Sequence, residues 1–211
     1  LEAIAIDWKS VIFLTIGGLG LFLFGIKMMS DGLRKAAGKN IKKVLLVLTK
    51  GRIKSVLTGA GITALIQSSS AMTVILIGLV NAGVMTFGQS IGMVMGANIG
   101  TTFTGQLIAF KIKALAYPAI GIGFLMMMVG RRKSTKVWGN VIFGFGLLFL
   151  GLNTMSDVVK PLRTAPTFVD AFVKLSQVPI LSVFIGTLIT VLLQSSSATV
   201  GLTITLASAG L

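Results

Sequence analysis

Gln67-Ser68-Ser69-Ser70-Ala71 and Gln194-Ser195-Ser196-Ser197-Ala198 are two copies of one pentapeptide, each set inside a long apolar stretch. Four consecutive hydrogen-bonding side chains are costly in hydrocarbon unless they face protein, water or a ligand. The same costly element occurring twice points to a pseudo-symmetric site in a membrane.

The likeness extends outward from the pentapeptides. Residues 55–71 read SVLTGAGITALIQSSSA and residues 182–198 read SVFIGTLITVLLQSSSA, an offset of 127. Upstream, residues 18–31 read GLGLFLFGIKMMSD and residues 144–157 read GFGLLFLGLNTMSD, an offset of 126. Ala82 and Gly83 are echoed by Ala209 and Gly210. Ordered matches in two blocks mark an internal duplication, with the one-residue slip in the linker between them.

Composition sets the class. Of 211 residues 54% are hydrophobic and only 11% charged, too few charges for the surface of a soluble domain. Apolar runs at 12–29, 115–129 and 137–155 approach the roughly 20 residues that cross a bilayer. The expectation is an all-α integral membrane protein. Cysteine and histidine are absent, which removes disulfides, thiolate metal sites and the commonest general base. No nucleophile has an evident base partner, so an enzyme is not expected. The net charge of +14 does not indicate nucleic acid. The basic residues lie between apolar spans, where the positive-inside rule expects them, close to anionic membrane lipids. Arg34, Lys35, Lys39, Lys42, Lys43, Lys50, Arg52 and Lys54 fill one linker, and Arg131, Arg132, Lys133 and Lys136 another. Both are expected to be cytoplasmic. Ile41, Val44, Leu45 and Leu48 recur at helical spacing in the first, which reads as a short interfacial helix.

Parity gives the topology. The first span enters the basic linker from outside, and the span from Val137 leaves the second basic loop outward. The two repeats are therefore inverted, with residues 1–136 forming the first and residues 137–211 the second. Inverted repeats commonly place a site at their interface near the bilayer midplane. Three apolar segments separate the two basic linkers, and parity requires an even number of crossings. A re-entrant helical hairpin at residues 55–83, with QSSS at its tip, restores it.

Residues 96–102 read GANIGTT. Two glycines weaken a helix there, and Asn and Thr side chains compete for backbone hydrogen bonds. A broken helix would expose neutral oxygens of the kind that suit Na⁺. Ordinary helix packing through small residues is the competing reading.

QSSSA, then GANIGTT, then a second QSSSA strongly resemble the type II sodium-dependent phosphate cotransporter family, including its bacterial members. The resemblance covers nearly the whole chain. It implies a secondary transporter that couples Na⁺ to inorganic phosphate by alternating access, with its site at the repeat interface, in the bacterial cytoplasmic membrane. It implies phosphate on Gln67, Ser68, Ser69, Ser70, Gln194, Ser195, Ser196 and Ser197. It implies Na⁺ on Ser69, Asn98, Thr101, Thr102, Gln194 and Ser196, with no other metal and no cofactor. The residues agree with this. No Arg or Lys is expected near either pentapeptide, so helix N-termini and hydroxyls are left to hold the anion. Another oxyanion such as sulfate is the alternative cargo, and a non-transporting membrane scaffold the alternative role. The family pattern has a GANIGT-like motif after each QSSS. The second falls beyond Leu211, so the second repeat reads as truncated after its hairpin, and a homodimer is one way to fill that space.

Overall fold

Asp7 starts the first helix. Its Oδ1 accepts from the backbone N–H of Lys9 at 3.1 Å and of Ser10 at 3.3 Å, and its Oδ2 from the Ser10 hydroxyl at 2.6 Å. That is an N-cap satisfying donors that have no partner within the helix. Helix α1 (Trp8–Ala37) then runs 30 residues, about 45 Å. The computed structural model describes residues 7–37, 51–109, 113–159, 161, 170 and 177–209, and every regular element among them is helical. In order these are α1, α2 (Arg52–Ile66), α3 (Ser69–Asn81), α4 (Phe87–Ala109), a 3-10 turn (Lys113–Leu115), α5 (Ala116–Val129), α6 (Lys133–Val159), α7 (Pro179–Leu193) and α8 (Ser196–Ala209).

Helices α1 and α6 are the two described helices long and apolar enough to cross a membrane. They pack antiparallel, because successive α1 glycines meet earlier and earlier α6 residues. Gly18 lies against Gly151 and Met155, Gly25 against Gly144 and Leu148, and Gly32 against Val137 and Val141. Small residues here let two backbones approach where side chains would hold them apart. The contacts also exchange under the 126-residue offset. Gly18–Gly151 is matched by Gly25–Gly144, Gly18–Met155 by Met29–Gly144, and Gly25–Leu148 by Phe22–Gly151. A core of Phe22, Met29, Leu148, Phe149, Leu152 and Met155 fills this interface, joined by Ile108, Ala116 and Ala198.

A second core holds Ile62 and Ile66 of α2, Met72 and Leu76 of α3, Met85, and Met93 and Ala97 of α4. Here α2 and α4 run parallel. Gly92 lies against Ser55 and Arg52, Gly96 against Val56 and Ala60, and Gly100 against Ala60, Thr63 and Ala64. The chain thus travels along α2, breaks at Gln67-Ser68, and is back at the starting level of α2 when α4 begins. Helix α3 lies between them in the chain and packs against α4 through the second core.

The expected break at GANIGTT is corrected. Helix α4 runs unbroken from Phe87 to Ala109. Gly96 and Gly100 serve close approach to α2. Thr101 Oγ1 donates to Ala97 O at 3.0 Å and Thr102 Oγ1 to Ile99 O at 2.7 Å, so both hydroxyls bond back into the helix they were expected to open. Helix α5 has 14 residues, about 21 Å, and on that length is shorter than a full crossing. The expected interfacial helix at 41–48, Lys111 and most of 158–178 lie outside the described residues.

Candidate functional site

The two pentapeptides fold alike. Gln67 ends α2 at φ 58°, ψ 29°, and Gln194 ends α7 at φ 50°, ψ 27°. They are the only non-glycine residues with positive φ among those described. That conformation costs a non-glycine residue about 1–2 kcal/mol and persists only where its surroundings hold it. The side chains supply part of that hold. Gln67 Nε2 donates to Ala64 O at 2.5 Å and Gln194 Nε2 to Val191 O at 2.6 Å, each capping the helix it ends. The following serine caps the next helix. Ser68 Oγ accepts from Ala71 N–H at 3.2 Å, and Ser195 Oγ from Ala198 N–H at 3.3 Å. A helix C-terminus therefore passes into a helix N-terminus within two residues, twice. Carbonyl oxygens and the negative pole of one helix stand beside the amide donors and positive pole of the next. One such tip can offer ligands to a cation and to an anion.

The tips share one cavity. A space of about 670 Å³ is lined by Ser69 and Ser70 from the first pentapeptide and by Gln194, Ser195 and Ser196 from the second. Thr187, Thr190 and Thr199 complete its polar wall. Thr190 Oγ1 donates to Thr199 Oγ1 at 2.9 Å, tying α7 to α8 behind the tip. A smaller crevice of about 300 Å³ brings Thr101, Thr102 and Gln106 of α4 to Ser196 and Ser197 of α8. Ser196 lines both spaces.

Not every expected site residue is in these spaces. Gln67 and Ser68 line neither. Gln67 is engaged instead by the Thr104 hydroxyl, which donates to its Oε1 and fastens the first tip to α4. Ser68 Oγ lies 3.3 Å from Ser70 Oγ. Asn98 is exposed on α4, one turn before Thr101 and Thr102 on the same stripe, and lines neither space.

The reading that no cation stands near a pentapeptide is also corrected. Arg34 Nε donates to Ile66 O at 3.1 Å, next to Gln67. In sequence the two are 32 residues apart. Only the packing of α1 beside α2 brings the guanidinium to a carbonyl that its own helix leaves unbonded. Thr104, Thr187, Thr190 and Thr199 were missed for a similar reason. A lone threonine in an apolar helix carries no signal until its neighbours are known.

The chain matches the family model described as Na+/Pi-cotransporter over residues 21–157. It is 32% identical over 190 residues to the uncharacterized protein YqeW of Bacillus subtilis, covering 90% of this chain and 62% of that one. Over 196 residues it is 26% identical to Escherichia coli YjbB, provisionally named for inorganic phosphate export, covering 93% of this chain and 36% of that one. Over 99 residues it is 32% identical to the rat sodium-dependent phosphate transport protein 2A, covering 46% of this chain and 15% of that one. The chain thus spans less than two thirds of the length of each of these relatives. No solved structure matches it.

Proposed function

The chain belongs to the Na⁺/Pi-cotransporter family, and on that premise we propose that it is the phosphate- and sodium-binding part of a secondary transporter built on inverted repeats. The observation that carries this reading is the cavity lined jointly by Ser69 and Ser70 and by Gln194, Ser195 and Ser196. Phosphate sits between the two tips, held by serine hydroxyls, the Gln194 amide and the N-termini of α3 and α8. Sodium sits beside the anion along the same polar wall, where Ser69, Gln194 and Ser196 supply neutral oxygens. Its charge offsets that of the anion, so each ion favours the other. Gln67 and Ser68 shape the first tip rather than touch the cargo. The reciprocal α1–α6 contacts support an inverted pair, which rocks about that interface to expose the site alternately.

The test is phosphate binding to the purified protein in Na⁺ and in K⁺ buffer, with sulfate in parallel. Binding is expected only with Na⁺, and preferentially for phosphate. Equal affinity in Na⁺-free buffer contradicts the coupling, and a preference for sulfate reassigns the cargo.

The return of the chain to the level of α2's start, where α4 begins, supports a re-entrant hairpin. The absence of cysteine makes labelling direct. Single cysteines at Lys54 and Ala82 are expected to react with a membrane-impermeant maleimide from the cytoplasmic side. Ala82 is chosen because Gly83 has φ 68°, where a side chain is strained. Labelling of position 82 from the opposite side alone means that the segment crosses.

Arg34 tethers the first tip. Removing a partly buried, charge-assisted bond to a carbonyl costs on the order of 1 kcal/mol. Arg34→Ala is therefore expected to weaken phosphate binding several-fold at fixed Na⁺, and Arg34→Lys less. Unchanged affinity in Arg34→Ala means that the tip holds its place without α1.

A further inference from the structure

The cavity between the pentapeptides reaches well beyond the tips. Its wall on α7 and the α7 cap is Val183, Gly186, Thr187, Thr190, Val191 and Gln194. These form a single stripe at spacings of three and four, running about 16 Å along the helix. Residues 182–198 repeat residues 55–71 at an offset of 127, so the mates of these six are Val56, Gly59, Ala60, Thr63, Ala64 and Gln67. Those mates are the residues through which α2 and its cap meet α4. Gly96 lies against Val56 and Ala60, Gly100 against Ala60, Thr63 and Ala64, and Gly59 against Met93. Thr104 donates to Gln67. Among the described residues, the same stripe is therefore covered by a helix in the first copy and open in the second. A Cβ on Gly59 would overlap Met93 O, whereas one on Gly186 meets nothing within 4 Å. Helix α2 buries Gly59 and Thr63, and α7 buries none of its residues.

We propose that this stripe of α7 is the seat of a membrane helix with the chemistry of α4, lying parallel to α7 and carrying small residues at every fourth position. Gly96 and Gly100 approach backbone atoms of α2, at Val56 O, Ala60 N, Ala60 O and Ala64 N. Any helix supplies such atoms, and the bare Gly186 leaves those of α7 accessible. Close backbone approach at small residues is what holds helices together in lipid. A hydroxyl one turn beyond the last small residue, placed as Thr104 is, donates to Gln194 Oε1. The Gln194 amide then keeps one Nε2 proton for Val191 O and a second for an anion. The seat itself does not rest on the transport reading.

The probe is a synthetic, fluorescently labelled peptide of residues 87–109, titrated onto the full chain in lipid nanodiscs. Gly186→Leu fills the seat. Gly121→Leu is the control, at another glycine whose Cβ meets nothing within 4 Å, so both chains are expected to fold. A second arm needs no variant of the chain and compares the native peptide with one carrying Gly96→Leu and Gly100→Leu. Saturable binding is expected for the native peptide. Leucine at Gly186, or in the peptide, is expected to weaken it about tenfold or more, with Gly121→Leu within about twofold of wild type. Three results overturn the proposal. They are no saturable binding of the native peptide, equal binding to the Gly186→Leu chain, and equal binding of the leucine-bearing peptide.

Discussion

Gly25→Leu is expected to abolish folded, monodisperse protein, while Gly17→Leu, two turns away on the same helix, is expected to be tolerated. A Cβ on Gly25 would overlap the backbone nitrogen of Leu148 and lie 2.7 Å from Gly144 O and 2.8 Å from Leu148 Cα. These are backbone atoms, which cannot rotate aside as a side chain can. Overpacking costs about 1–3 kcal/mol where neighbours can shift, and more where they cannot. Helices α1 and α6 would have to separate along their length, opening the core around Phe22 and Leu148. A Cβ on Gly17 meets nothing within 4 Å. Size-exclusion profiles and thermal melts of the two variants check this. Closely similar melts mean that the glycine contacts do not set the approach of the two helices.

Gln194→Ala is expected to lower phosphate affinity about tenfold or more, and Gln67→Ala to lower it by a different route. Gln194 lines the shared cavity, so its loss removes a direct ligand. A hydrogen bond to a charged partner is worth about 1.5–3 kcal/mol, which is about tenfold to more than a hundredfold. Gln67 lies outside the cavity and is held by Thr104. Its effect passes through the tether to α4, so Thr104→Val is expected to reproduce it. The double variant Gln67→Ala/Thr104→Val is expected to be little worse than either single one, because both remove the same bond. Equilibrium binding at saturating Na⁺ reads all four. A Gln194→Ala protein with wild-type affinity removes this residue from the site.

The sequence was informative where a motif carries its own cost or repeats. Two polar pentapeptides in apolar surroundings identified both helix breaks, because an αL glutamine followed by a capping serine is a local device. The 126-residue offset similarly marked the pairs that meet between α1 and α6, although not that they would meet. At GANIGTT the local reading went astray. Glycine and threonine propensities argued for a break, but tertiary packing turned Gly96 and Gly100 into contact points, and the threonine hydroxyls bonded back to their own helix. Arg34 illustrates the opposite limit. It reads as one more basic residue of a linker, and only the crossing of α1 and α2 turns it toward Ile66. Thr104 became visible in the same way. Single polar residues contribute through what lies across from them, and one chain's sequence does not carry that pairing.

The central claim is that the two pentapeptides form one site rather than two. A double-mutant cycle on Ser69 and Gln194 tests it most directly, with phosphate affinity measured at saturating Na⁺ for wild type, Ser69→Ala, Gln194→Ala and the double variant. Residues that hold the same ligand couple by about 0.5 kcal/mol or more. A shared site therefore predicts that the double variant departs from the product of the single losses by about twofold or more. Losses that multiply independently, or a Ser69→Ala protein that binds as wild type, would contradict a site shared between the two tips.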